Sequence, residues 1–369
     1  MSLHLHWFLP TAGDSRNVAG FGPSAAPREV DLDYLTLVAR TAEQAGFEAV
    51  LTPTGTSCDE AWIATAALIP ETTRLQFMVA FRPGLVSPTL AAQFASTFQH
   101  LSRGRLLLNV VSGGSGEEQR RFGDHLDHDE RYDRADEFIT ILRGAWSGQP
   151  FDFVGRHYRV EGATTHRPAD PAPPVFFGGA SDAGIRVAAR QADTWLTWGE
   201  PPEAARARLV EVQRLAADAG RRVGAGIRFH VISRPRAEDA WAEAARLLDA
   251  MGTDAIAAAQ RRRTYTDSVG QARMDALHGG GTGDLLVSPN LWAGFGLVRG
   301  GAGTALVGSH EEVADRISEY HELGFDHVIL SGQPHVEEAL WFGDGVMPIL
   351  DRRGLLPGGA PAATAPSML

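Results

Sequence analysis

The chain has 369 residues, 44% hydrophobic and 21% charged, enough for one large α/β domain. Its formal net charge of −11 argues against sequence-independent binding to nucleic acid or to an anionic membrane surface. No apolar run approaches the ~18 residues of a membrane span. The N-terminus lacks a secretion signal, and Cys58 is the only cysteine, so a cytoplasmic protein with no internal disulfide or thiolate metal cluster is expected.

In chain order, short β-rich runs alternate with helical patterns. Residues 3–10 alternate apolar and polar positions as a strand would, and 32–45 carry apolar residues at helical spacing before Gly46, a helix stop. Further β-like runs cover 47–53, 74–82, 105–112, 175–178, 192–197, 226–232 and 325–331. Helical patterns separate them at 59–67, 89–101, 131–146, 182–189, 202–219, 237–248 and 311–323, and a last one follows at 335–344. Eight strand–helix units predict an α/β fold, a (β/α)8 TIM barrel forming a single domain over residues 1–350. Two segments interrupt the count. Residues 151–160 read as an extra β excursion, and about 251–303 form a long insertion between strands seven and eight, of a size typical of lids and binding loops. Residues 351–369, rich in Pro, Ala and Gly, are expected to be disordered.

A barrel builds its site where the strands end. The residues there include Thr11, Cys58, Arg82, Ser112, Ser181, Trp198 and the pair Arg228 and His230. They hold no His and carboxylate constellation at metal-ligand spacing, so no metal is expected, and no GxGxxG fingerprint follows the first strand. Arg228 and His230 lie two apart in an apolar strand and therefore face the same side. Inside a barrel both need an anion or a buried carboxylate. Residues 290–308, NLWAGFGLVRGGAGTALVG, interleave glycines with large apolar residues around one charge, Arg299. That is the composition of a packed loop whose backbone comes close to something, and its lone guanidinium suits either an external anion or a distant carboxylate. Ser181, in GGASD, opens a helix whose free N–H groups can face an anion, although Ser is also an ordinary N-cap. Trp198 can wall a planar ligand or close the core, and Cys58 is as consistent with packing as with reactivity.

Several longer motifs are more specific: SLHLHWFLPT, LTPTGTSCDEAW, FRPGLVSPTLAAQ, LDHDERYDRADEF, PPVFFGGASD, LTWGEPPE, GIRFHVI, TDSVGQARMDALH, the 290–308 loop and SGQPHVEEA. Through them the chain resembles, over roughly residues 1–350, the two-component alkanesulfonate monooxygenases that depend on reduced FMN, within the bacterial-luciferase-like superfamily. The resemblance implies a TIM barrel, usually a homodimer or homotetramer, with flavin and substrate at the C-terminal mouth. It implies FMNH2 and O2 as co-reactants, the former supplied by a separate NAD(P)H-dependent flavin reductase acting as a transient partner. Carried over by position, it implies Cys58, Trp198, Arg228, His230 and Arg299 as catalytic residues, with Arg299 on a mobile loop that holds the sulfonate. Substrate contacts are implied at Arg228, Arg299, Trp198, Gln333 and His335, and flavin contacts at Ser112, His128, Tyr132 and Ser181.

The chain departs from that family twice, with Ala12 where the alkanesulfonate enzymes carry His and Gln333 where they carry Tyr. The loop 15–29 is also longer than usual. The expected function is oxidative cleavage of an organosulfonate to sulfite and an aldehyde, in sulfur assimilation or sulfonate catabolism. The substrate would be an alkanesulfonate or a bulkier sulfonate such as a sulfosugar. The alternatives are a flavin- or deazaflavin-dependent dehydrogenase on the same barrel and a non-catalytic flavin- or sulfonate-binding protein.

Overall fold

The structure is a computed structural model and describes residues 2–13, 28, 30–263 and 268–358. It begins with β1 (His4–Phe8), α1 (Leu32–Gln44), β2 (Ala49–Thr52), α2 (Ala61–Leu68), β3 (Gln76–Phe81), α3 (Pro88–Ser102) and β4 (Leu106–Val111). The short α4 (Gly116–Arg121) and long α5 (His128–Ala145) lead into a hairpin, β5 (Phe151–Val154) and β6 (Arg159–Ala163). The alternation resumes with β7 (Val175–Gly178), α6 (Asp182–Gln191), β8 (Thr194–Trp198), α7 (Pro202–Asp218), β9 (Gly224–Arg234) and α8 (Ala237–Met251). After α8 come α9 (Thr253–Arg263), α10 (Val269–His278), β10 (Leu286–Ser288), β11 (Leu291–Trp292), a 3-10 turn (Gly294–Leu297) and β12 (Ala305–Ser309). The chain then adds α11 (His310–Glu322), β13 (His327–Ser331), α12 (His335–Gly345) and α13 (Met347–Arg352).

Parallel pairing runs β1–β2–β3–β4–β7–β8–β9–β13 and returns to β1, which closes an eight-stranded barrel with helices outside. Each of the eight runs read from sequence contributes one of these strands. The apolar side chains alternate between two layers, as the pleat requires. Leu5, Trp7, Val50, Phe77 and Val79 pack toward the helices, whereas Ala49, Leu51, Met78, Leu107, Phe176 and Ile329 fill the barrel interior. Helices start where polar caps satisfy their first N–H groups: Asp31 accepts from Tyr34 N, Ser87 from Leu90 N, and Ser309 forms a capping box with Glu312.

The insertion expected at about 251–303 is built of helices and short strands, with slightly different bounds. Met251 still belongs to α8, and the extra elements run from Thr253 to Ser309. Strand β9 has 11 residues and outgrows the barrel rim. Its first half pairs with β13, from His327↔Gly226 to Ser331↔His230, and its second half with β12, from Ala305↔His230 to Ser309↔Arg234. The protruding backbone groups of β9 need partners, and the inserted strand supplies them. At the chain end the expected disorder does not begin at 351: Asp351 and Arg352 belong to α13, Leu355 and Leu356 pack partly buried against the core, and Leu355 carbonyl accepts from Leu3 N at 2.8 Å. Residues 359–369 lie outside the described residues, as does the 15–29 loop apart from Arg28, which pairs with Glu337 of α12. No helix among the described residues is long and apolar enough to cross a membrane.

Candidate active site

A cavity of about 580 Å³ opens at the C-terminal ends of the strands. That is within the range of small-ligand and cofactor sites, roughly 300–1,000 Å³. Its floor is Leu51, Ala80, Asn109, Leu196 and Ile329, and its rim includes Gly178 to Ser181, Trp198, Glu200 and Arg228. Helix α10 roofs it through Val269, Gly270, Gln271, Arg273 and Met274. Gly270 is where the roof meets the wall: a Cβ there would stand 3.1 Å from the Trp198 ring.

Four arginines gather at this end of the barrel, Arg82, Arg228 and Arg273 lining the cavity and Arg299 close to Arg228, and they divide by partner. Arg82 pairs with Glu118, whose other oxygen accepts from Thr56 N at 2.8 Å, so α4 is tied to the loop after β2. Arg273 of α10 lies 3.3 Å from Glu200 at the end of β8. Arg228 and Arg299 have no carboxylate partner among the described residues. Arg228 stacks its guanidinium 4.2 Å from the Phe8 ring centroid, and Arg299 Nη1 donates to Gln333 Oε1 at 3.3 Å. Burial, and then the charge of Arg299, push the Arg228 pKa down to about 10, and burial lowers that of Arg299 as well. Two buried cations without a counter-ion mark a place for an anion.

The imidazoles beside them carry no charge. Burial, then the charges of Arg299 and Arg228, hold His230 and His335 well below the usual histidine range. In His230 both nitrogens are engaged. Nε2 donates to Ala302 carbonyl at 3.0 Å, and Nδ1 accepts from the Ser331 hydroxyl at 2.9 Å. His230 therefore fastens the segment after Arg299 to β9, and it does not stand on the cavity wall. His335 is buried and stacks on Phe8, with ring centroids 5.7 Å apart.

The remaining expected residues fall into two groups. His128, Tyr132 and Ser181 come together on one side of the cavity. Ser181 caps α6 by accepting from Gly184 N, and the Tyr132 ring lies 5.1 Å from that of His128. Gly179 and Ala180 precede this helix N-terminus with open backbone, so three polar side chains and a helix start converge on one spot. Ser112 and Cys58 stand apart. Ser112 is buried behind Val111 and Gly113, which do line the cavity, and its hydroxyl has no partner. Cys58 is half-buried, its neighbour Ser57 faces the cavity instead, and its thiol donates to Gly55 carbonyl at 3.5 Å. Burial raises the Cys58 pKa, so the thiol stays protonated. Ala12 is exposed at the start of the β1–α1 loop.

Sequence reasoning missed the Glu200–Arg273 and Arg82–Glu118 pairs and the floor residue Asn109. Each joins elements distant in sequence, and no local pattern marks them. Among the described residues, no cluster of His, Cys, Asp and Glu could hold a metal ion.

The model of the luciferase-like monooxygenase family matches residues 3–327. Among solved structures, a riboflavin lyase described with modified FMN and riboflavin superposes with a TM-score of 0.81 at 23% identity, covering 98% of this chain and 94% of that one. A long-chain alkane monooxygenase superposes at 0.78 and 21%, covering 97% and 93%. The EDTA monooxygenase of Chelativorans sp. BNC1 gives 0.78 and 19%, covering 97% and 95%. At these identities the likeness is one of fold.

Proposed function

Because the chain belongs to the luciferase-like monooxygenase family, we propose that it is a two-component flavin monooxygenase that cleaves the carbon–sulfur bond of an organosulfonate. The overall change consumes the substrate, O2 and reduced FMN. It yields sulfite, an aldehyde, oxidised FMN and water, with one oxygen atom in the aldehyde and the other in the water. The observation that carries this reading is the pair Arg228, which lines the cavity, and Arg299 close to it, both buried without a carboxylate among the described residues. A sulfonate is a compact, permanently charged anion with three acceptor oxygens, which suits two guanidinium forks.

The residues present also fit FMN. His128, Tyr132, Ser181 and the start of α6 offer a phosphate donors from side chains and backbone. The cavity extends from there past Asn109 and Trp198 to Arg228. Bound reduced FMN, delivered by a separate reductase, would supply the two electrons and the activation of O2. The protein's own share is binding, orientation and exclusion of water. Arg228 and Arg299 hold the sulfonate, Trp198 and α10 wall the cavity from solvent, and His230 is a positioning residue that keeps the Arg299 segment seated. A panel of sulfonates, assayed for sulfite with reduced FMN regenerated by a flavin reductase, tests the proposal. Sulfite release that needs both flavin and O2 supports it. Absence of sulfite from every sulfonate, with the same preparation binding FMN, overturns it.

A further inference from the structure

Gln333 follows β13 and sits against the Arg299 side chain, yet it is not itself charged and closes no ion pair. Its amide is 2% exposed. The two ends of the amide are distinguishable by chemistry alone. A guanidinium can only donate, so the end facing Arg299 Nη1 at 3.3 Å is the oxygen. The NH2 end then points elsewhere, and that atom, Nε2, is buried with no hydrogen-bond partner. Arg228 Nε is unpartnered in the same way. Gln333 does not itself line the cavity, but through Arg299 it adjoins Arg228, which does. Buried donors are almost always paired, and an exception at such a position asks for an acceptor that a ligand brings.

We infer that Gln333 is a specificity-determining residue, whose Nε2 donates to a hydroxyl oxygen that the substrate carries near its sulfonate. The inference rests on the sulfonate reading of Arg228 and Arg299 and deepens it. The anion's own oxygens face the guanidinium forks, whereas the amide is neutral, short and directional, which suits a neutral acceptor on the carbon beyond the one bonded to sulfur. A hydroxyl there completes the amide. A bare methylene leaves the NH2 buried against hydrocarbon, so the site discriminates against the deoxy substrate more strongly than loss of an exposed contact would. The substrate class is therefore hydroxylated sulfonates, from hydroxyalkanesulfonates to sulfonated sugars, rather than plain alkanesulfonates.

The test compares isethionate with ethanesulfonate, which have the same carbon count and differ by one hydroxyl, in kcat/KM for sulfite release and in binding to the FMN-loaded enzyme by calorimetry. The wild type is expected to favour isethionate by about tenfold or more. Gln333→Met keeps the length and removes both polar ends, and Gln333→Leu removes them in a smaller side chain, so neither adds a charge beside Arg299. Both variants should bring the ratio toward one, chiefly by losing on isethionate. A wild type that handles the two equally, or variants that lose equally on both, would overturn the inference and leave Gln333 as a mere prop for Arg299. Failure of the sulfonate reading looks different: neither compound, nor a sulfonated hexose, would bind or yield sulfite.

Discussion

Charge without a counter-charge distinguishes single residues at this site. Arg82 and Arg273 are matched by Glu118 and Glu200, whereas Arg228 and Arg299 are matched by nothing negative among the described residues. Replacing Arg299 by Ala is therefore expected to lower sulfite production by about 100-fold or more, since a charge-assisted pair in a dry site is lost. FMN affinity, read by flavin fluorescence, should be nearly unchanged because the residues proposed for the phosphate lie on α5 and at the start of α6. Near-normal turnover would mean that the substrate anion is held elsewhere. Cys58 gives the opposite expectation. Its pKa is raised by burial, so little thiolate exists near neutrality. Cys58→Ser should retain turnover within about fivefold, a modest change for a packing residue. Alkylation of the wild type by iodoacetamide at pH 7.5 should be slower than that of free cysteine. A loss of activity near that of the Arg299 variant would restore Cys58 to a catalytic role.

At the level of elements, the inserted segment explains the glycines that made residues 290–308 conspicuous. The loop's backbone does come close to something, and that something is itself. Gly296 N donates to Gly303 carbonyl at 2.8 Å, and a Cβ on Gly303 would stand 2.7 Å from the Gly296 Cα. Only backbone of minimal size allows the two limbs to touch, and Arg299 is carried on the bend between them. Gly301 N then bonds to Gln271 Oε1 at 2.9 Å, and Thr304 Oγ1 to Gly199 carbonyl at 2.7 Å, which link the bend to α10 and to the end of β8. Gly303→Ala should force the limbs apart and lower turnover at least tenfold or so while FMN still binds, because misplaced anchoring groups are costly to rate. Full activity in that variant would show that the Arg299 bend tolerates displacement. The Arg273–Glu200 pair is the other attachment of α10. In Arg273→Ala the carboxylate of Glu200 keeps its buried position without its partner, so α10 should loosen. Limited proteolysis should cut the α9–α10 region faster than in the wild type, and a larger share of reduced FMN should be oxidised without sulfite formation. Equal cleavage and equal coupling would show that the pair does not hold the roof.

For the whole molecule, buried neutral histidines predict acid sensitivity. At the bottom of the barrel His4, His6 and His327 stack, with ring centroids 4.8 Å apart for His4–His327 and 5.2 Å for His6–His327. His6 Nε2 lies 2.9 Å from His327 Nδ1. Burial, then the neighbouring His4, lower the His327 pKa to about 3, and burial depresses His6 further below its usual value. A histidine whose folded pKa is depressed binds fewer protons folded than unfolded, so stability rises with pH between the folded value and about 6.5. As pH falls from 6.5 to 5, His327 alone should remove about 2 kcal/mol, at about 1.4 kcal/mol per unit. His4 has the opposite sign, because Glu48 at 2.8 Å raises its pKa, and its contribution is lost as pH rises through that raised value. Urea midpoints at pH 7 and pH 5 test the balance. The wild type should lose much more than His327→Gln, which keeps an acceptor for His6 but cannot be protonated. Equal losses would place the acid-sensitive groups elsewhere.

Much of this was legible from the chain itself. Alternating apolar runs with helical stretches between them determined the eight strands, because period-two and period-3.6 burial are local properties that each segment needs wherever it packs. The motif resemblance extended the reading to candidate residues at the mouth. It could not say which of them face the cavity. That Arg228 does while Ser112 lies behind its neighbours depends on strand stagger and on helices distant in sequence. Likewise, the wording of the 290–308 loop announced a close approach, but not that Gly296 and Gly303 approach each other or that His230 links the bend, through Nε2, to Ser331 of β13, through Nδ1. Tertiary structure alone decided which arginines find carboxylates. Ion pairing depends on distance in space, and Arg82–Glu118 and Arg273–Glu200 are formed by side chains 36 and 73 residues apart. The same folding that neutralised those two left Arg228 and Arg299 buried without a carboxylate among the described residues.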